Sequence, residues 1–372
     1  MKFSINSKIL ASALSAIVRV VDPKATMLIL QNFKFTLAAD GMLTIKGMSA
    51  EAEAQMTIET TDYEGADEFC VNARQLTDFI KKLGDCGVTF AYGGLQLEIL
   101  AGKGKFVIPT HPGEHFPTPQ SVEGETITIP AQILIDGLSR TKFAVSTDEY
   151  RQVMQGVYMD IAPDKVVFVA TDTRVLTRYT FNITTEKTLD FIIPQKIVSM
   201  ITALFAKSEN VTITLSDKSA MFKAGDITLV AALLNGRFPD YNRVIRNSGP
   251  FSIEVDKKNL TKAVERVHSF GDTSSNLIKI SVGGMFGELK VSAANNGLNT
   301  SGNDYIPCET GCSKFTIGLN ADYLLSVLAS LQNEAVVMSN ITEGTASMPI
   351  HFVESGESKE FLALLMPMTL TE

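Results

Sequence analysis

Few of the residues that usually do chemistry stand where they could do it together. The four cysteines are Cys70, Cys86, Cys308 and Cys312, and only the last two are close, as C-x-x-x-C. A structural zinc site wants a second cysteine or histidine pair, and none lies near. Free thiols are therefore expected. His111, His115, His268 and His351 show no metal-binding or catalytic spacing. No G-x-S-x-G, H-E-x-x-H or P-loop occurs. The segment AGKGKF (101–106) has a faint look of a phosphate loop, but it lacks the full glycine spacing and the following Ser or Thr. It reads as a hairpin turn. No catalytic residue, metal or cofactor is expected, and the protein is not expected to be an enzyme.

The remaining chemistry is charge. Formal net charge is −8 and the pI is about 5.2, which argues against nucleic acid unless the charge is segregated over the surface. Six stretches with helical apolar spacing carry more basic than acidic residues, so the rest of the chain is more acidic than the total. Placed at 100° per residue, Lys8, Arg19, Arg74, Lys81, Lys82, Arg140, Lys196, Lys207, Lys258, Lys262 and Arg266 fall opposite the apolar stripes. Any surface helix turns charges outward. An acidic chain whose repeated helices, all but the sixth, carry basic residues on one equivalent face points further, to phosphates held without base reading.

The elements that position these charges form a repeat. Six segments read as a short strand, a polar or proline residue, then an amphipathic helix: FSINSKILASAL, FCVNARQLTDFI, ITIPAQILIDGL, FIIPQKIVSMI, IEVDKKNLTKAV and IGLNADYLLSVL. Asn6, Asn72, Asp256 and Asn320 are helix-capping types, and Pro130 and Pro194 suit a first helical turn. Helices are expected over 7–21, 72–85, 130–146, 194–210, 256–270 and 320–334. The third is the weakest match, with Gly137 on its apolar stripe. Alternating stretches between them read as strands. The segment 295–304, NNGLNTSGND, reads as a mobile loop.

A longer period lies above this one, with GEHFP and NGRFP closing successive copies. Three domains are expected, at 1–122, 123–246 and 247–372, in an α+β fold with two helices per domain on one face of antiparallel sheets. Twelve helices from two chains, packed about 10 Å apart, enclose a hole about 28 Å across. Groove depths imply a duplex about 20 Å thick, which would fit. No apolar run approaches bilayer length and the N-terminus lacks a signal core, so a cytoplasmic protein is expected.

The segments LLNGRFPDYNRVI (233–245), LLMPM (364–368), LILQNFKF (28–35) and VATDTRVL (169–176) resemble those of the bacterial sliding-clamp family, the β subunits of DNA polymerase III. The resemblance runs end to end. It implies a DNA-clamp fold of three similar domains, closed as a homodimeric six-domain ring around double-stranded DNA. It also implies a processivity role in DNA replication. The implied partners are the replicative DNA polymerase, the clamp loader, and repair polymerases and mismatch-repair proteins that dock short hydrophobic peptides.

Carried over by position, the peptide pocket would comprise Arg151, Met154, Thr171, Thr173, Leu176, Pro239, Val244, Tyr323, Ser347, Leu364, Met366, Pro367 and Met368. Lys24 matches a basic position near DNA, and Phe106, Ile108 and Thr273 match the ring interface. Departures from the family pattern are Thr173 where glycine is frequent, and Arg174–Val175 where a polar residue and arginine are frequent. Two other readings remain open on residues alone: an enzyme with its site between repeats, and a repeat-built interaction scaffold without DNA.

Overall fold

The computed structural model describes residues 1–118, 121–245, 249–283, 287–345, 348–355 and 359–370. Among them run α1 (Ser7–Ile17), α2 (Ala73–Ile80), α3 (Ala131–Thr141), α4 (Gln195–Leu204), α5 (Lys257–His268) and α6 (Ala321–Ser330). Each starts where the repeat places it. The side chains of Asn6, Asn72, Asp256 and Asn320 accept backbone N–H groups of their first turns, satisfying donors that have no partner inside the helix. Pro130 and Pro194 instead end strands. The next N–H groups, of Ala131 and Gln195, donate to the Glu209 and Gln155 carbonyls beside them, so sheet pairing runs into the helix start.

The helices stop earlier than their apolar periods suggest. In α2 the Lys81 and Lys82 N–H groups bond back to Thr77 and Phe79, and the chain then turns at Gly84, whose φ is +68°. Gly137 has a packing reason: a Cβ there would lie 2.3 Å from the Phe168 ring.

Two compact units result. The first holds residues 1–136 and 196–233, and the second holds 137–195 and 234–372. Each contains one 13-stranded sheet. In the first, Phe3 stacks on Phe90 at 5.0 Å and Phe35 on Phe69 at 5.2 Å, all fully buried. In the second, Phe168, Tyr179, Phe352 and Phe361 fill the centre.

The sequence repeat is cut differently by these units. Strand Ala52–Glu59 pairs antiparallel with Ile227–Ala232, and Val175–Asn182 with Lys359–Leu365. Each half of the middle repeat is thus bonded into a neighbouring repeat's sheet. The segment expected as a mobile loop, 295–304, is only in part a loop: residues 296–299 form a turn, and on either side of it Asn295 pairs with Thr300 and Val291 with Asp304, in a ladder between strands Glu288–Asn295 and Thr300–Thr310. Its Asn and Gly content marks that turn, and backbone bonding to a regular neighbour makes residues 300–304 strand. The AGKGKF segment is the hairpin turn expected, with Ala101 opposite Gly104.

Candidate functional site

In the second unit, the tight turn between strands Lys165–Thr171 and Val175–Asn182 organises a cleft. Thr171 Oγ1 donates to the Val175 carbonyl at 2.8 Å. The Asp172 carboxylate accepts the Arg174 and Val175 N–H groups, each at 2.8 Å. Between them Thr173 has φ +80°, a left-handed conformation that is strained for a β-branched residue. Arg151 Nη1 donates to Thr173 Oγ1 at 2.8 Å, and the Tyr323 hydroxyl donates to Asp172 Oδ2 at 2.5 Å. Burial, and then this bond to a carboxylate, push the Tyr323 hydroxyl above its ordinary pKa.

The C-terminal segment closes the other side. Met366 N–H donates to the Arg174 carbonyl at 2.9 Å, and Met368 N–H to the Gly318 carbonyl at 2.8 Å. Leu176 lies opposite Leu364 in register. Both belong to one buried apolar cluster with Val167, Val169, Ile192 and Phe238, against which Val153, Leu234, Tyr241 and Ile245 pack. Tyr158 stacks on Phe238 at 4.8 Å with rings 6° from parallel, so the segment holding Pro239 and Val244 is anchored by aromatic contact. Val244 and Met366 remain exposed above this floor. A mobile thioether and a valine over an apolar floor suit varied apolar side chains.

The structure brings Arg151, Thr171, Thr173, Leu176, Tyr323, Leu364 and Met366 together by direct bonds or register. Met154 ends the short 3-10 turn after Arg151. Pro239, Val244, Pro367 and Met368 sit on the two walls. Ser347 lies outside the described residues. Sequence reasoning passed over Asp172, which ties the turn to Tyr323. The Phe238–Pro239 pair was expected both to close its repeat and to belong to the pocket, and Phe238 lies in the buried cluster under the cleft.

Of the basic residues, Lys8, Arg19, Lys24, Arg74, Lys81, Lys82, Lys196, Lys207, Lys258, Lys262 and Arg266 are exposed. Lys8 pairs with Asp85 at 2.7 Å, Lys196 with Glu51 at 3.3 Å and Arg266 with Asp304 at 2.5 Å. Arg140 is a correction. It is 8% exposed, ion-paired with Glu354, and donates to the Ser330 carbonyl at 2.9 Å. Its guanidinium also lies over the Tyr179 and Phe361 rings. The helical wheel turns it away from the α3 stripe, but a second layer of structure covers that face there.

Besides the strands that end each sheet, two interior strands leave part of an edge unpaired among the described residues. Strand Gly104–Pro112 bonds to Gln96–Ala101 over residues 104–109 and to Asp67–Asn72 only over 110–112. Strand Thr300–Thr310 bonds to Glu288–Asn295 over 300–307 and to Phe251–Asp256 only over 308–310. Phe106 and Val107 are exposed on the first, and Ile108 is buried. The Phe106 ring contacts Phe79 at 4.6 Å. Thr273 is exposed in a turn built on Asp272, whose carboxylate accepts the Ser274 and Ser275 N–H groups and hydroxyls. These bonds hold the Asp272 pKa down to about 2.

Among the described residues no group of three or more metal-ligand side chains gathers, and no helix is long and apolar enough to cross a membrane.

Comparison with known proteins gives one consistent result. Family models of the DNA polymerase III beta subunit match in order: the N-terminal domain over residues 1–120, the central domain over 128–240 and the C-terminal domain over 242–369. A beta sliding clamp of Pseudomonas aeruginosa is 26% identical, with all of both chains covered. One of Staphylococcus aureus is 25% identical over 90% of this chain and 92% of its own. A crystal structure of a P. aeruginosa sliding clamp bound to griselimycin has a TM-score of 0.91 at 25% identity over the whole of both chains. The beta subunit of Thermotoga maritima, at 20% identity and a TM-score of 0.90, shares the fold over both chains.

Proposed function

The chain belongs to the DNA polymerase III beta-subunit family of sliding clamps, which act as polymerase processivity factors, and we propose that two copies close head to tail into a ring around duplex DNA. The ring performs no chemistry; it is a topological tether and a docking platform in the cytoplasm.

The observation that carries this reading is a count of equivalent strands. In each repeat, one strand follows the first hairpin (Ala52–Glu59, Val175–Asn182, Thr300–Thr310) and one ends the repeat (Gly104–Pro112, Ile227–Ala232, Lys359–Leu365). Two of the three pairings between these sets occur within the chain. The third needs the 300–307 edge and the 104–109 edge, and both are free. An unpaired edge is a template for another strand. The register follows from the repeat. The hairpin-opening residues Glu53, Leu176 and Thr300 are equivalent, and the first two pair with Val230 and Leu364. Thr300 then pairs with Val107 of a second copy, with Phe106 and Ile108 on either side.

Three repeated domains per chain, at 1–122, 123–246 and 247–372, would make six around the ring. The exposed Lys and Arg residues of the helices, with Lys24, would face the phosphates, and binding would weaken with salt. The cleft of Leu176, Val244, Leu364 and Met366 would take short hydrophobic peptides of the polymerase, clamp loader, repair polymerases and mismatch-repair proteins.

The test is solution mass together with retention on DNA. Particles of twice 40.4 kDa that stay on closed circular DNA and slide off linear DNA support the ring. A chain that stays monomeric at micromolar concentration sinks it, and equal retention on both DNA forms sinks the topological tether.

A further inference from the structure

The repeat that predicts the ring also predicts a second docking groove, and the chain has altered it. The junction of strands Ala52–Glu59 and Ile227–Ala232 in the first unit is equivalent to that of Val175–Asn182 and Lys359–Leu365 in the second. Opening pairs Met48–Glu53 and Thr171–Leu176 match, and across the junctions Glu53 faces Val230 as Leu176 faces Leu364. By this register Lys46 takes the place of Val169, Glu53 of Leu176, and Ala232 of Met366. Pro117, closing GEHFP, takes the place of Pro239.

There is space at this junction. A cavity of about 410 Å³ is lined by residues that include Met48, Glu53, Pro117, Lys218, Val230 and Ala232. Phe116 is buried beside Pro117, as Phe238 is beside Pro239. What differs is the floor. In the proposed peptide cleft, Val169 and Leu176 are 0% and 4% exposed and belong to an apolar cluster. Here Lys46 Nζ lies 3.2 Å from Glu53 Oε1, and the Glu53 side chain is 9% exposed. Laying an apolar side chain on this pair would strip the remaining water from two charges without offering a hydrogen bond in return. Ala232 also supplies none of the adaptable wall that Met366 supplies.

Resting on the proposed docking role of the Leu176–Met366 cleft, we infer that Lys46 and Glu53 are specificity-determining residues. They exclude hydrophobic peptides from the quasi-equivalent groove, so each chain docks one peptide although its repeat builds two grooves.

The experiment titrates purified full-length protein with a synthetic heptapeptide, Leu-Leu-Phe flanked by serines, and reads stoichiometry by calorimetry. A photo-crosslinking version of the same peptide is mapped on the wild type by mass spectrometry. One peptide per chain, crosslinked around Leu176 and Met366 only, is expected for the wild type. The K46V/E53L/A232M variant is expected to take two, with new crosslinks at Met48 and Pro117. Wild-type crosslinks in the 48–53 or 117–118 segments overturn the inference, and this arm needs no variant to fold. A folded triple variant that stays at one peptide overturns it as well. No peptide bound by the wild type overturns the cleft reading itself, which is a distinct outcome.

Discussion

Arg140 lies over the ring of Phe361, its guanidinium carbon 4.2 Å from the centroid, in a pocket where Glu354 completes an ion pair. This residue, basic and outward on its helical wheel, is a packing element. Replacing it with alanine leaves the Glu354 charge buried without its partner and is expected to destabilise the fold by about 3–5 kcal/mol. Chemical denaturation measures this. The same set of variants separates structure from DNA contact. Lys258→Ala, on the exposed face of α5, is expected to leave stability unchanged and to lower the salt slope of DNA binding by about one.

Thr173 holds φ +80° where a residue without a Cβ would be unstrained. Strain of this kind costs about 1–3 kcal/mol, and the extra chain entropy of glycine offsets part of the relief. Thr173→Gly is expected to raise stability by about 1 kcal/mol net. It also frees the Arg151 side chain from Thr173 Oγ1. A lower denaturation midpoint would contradict the assignment of strain.

Met366 is 42% exposed over a buried floor, so its side chain adds little to folding. Met366→Ala is expected to weaken hydrophobic-peptide binding about tenfold, equivalent to about 1.4 kcal/mol, with an unchanged melting temperature. Fluorescence anisotropy with a labelled peptide reads the first and calorimetry the second.

Phe106 stands exposed beside the free 104–109 edge. An aspartate there would place a charge on the apolar seam, and Phe106→Asp is expected to give 40.4 kDa monomers that fold normally and fall from circular DNA. A cysteine pair at Val107 and Thr300 in the wild-type background is expected to crosslink two copies under oxidation, whereas either cysteine alone is not.

His351 is 3% exposed, and burial first, then the nearby Arg178 cation, hold its pKa below the ordinary 6.5. The unfolded chain therefore binds this proton more readily than the folded one. The contribution is present above pH 6.5 and is lost as pH falls below it. Wild-type stability is expected to decline between neutral and mildly acidic pH, and the decline is expected to shrink in His351→Phe.

Much of the molecule was legible because its information is local. Asn6, Asn72, Asp256 and Asn320 announced helix starts, since a capping side chain acts on N–H groups two or three residues away. The apolar spacing after each cap then fixed which helix face is buried. The cleft residues came from resemblance, and the chain's bonds gather those named above around Asp172, which no sequence pattern marked. Helix ends were harder, because turns such as that after Ile80 are set by competing short-range bonds.

The sequence by itself determined the repeat, the helix starts, the alternation of buried and exposed faces, and the segregation of basic residues onto helices. Tertiary structure alone decided which of those basic residues are free. Arg140 and Lys258 look alike on a helical wheel, but only Arg140 is covered by Tyr179, Phe361 and Glu354 from distant strands. It also decided that residues 300–304 form a ladder with 291–295, and which strand edges stay open. The reason is physical: periodicity reports the environment along one element, while burial, ion pairing and edge pairing depend on which element the chain brings alongside it.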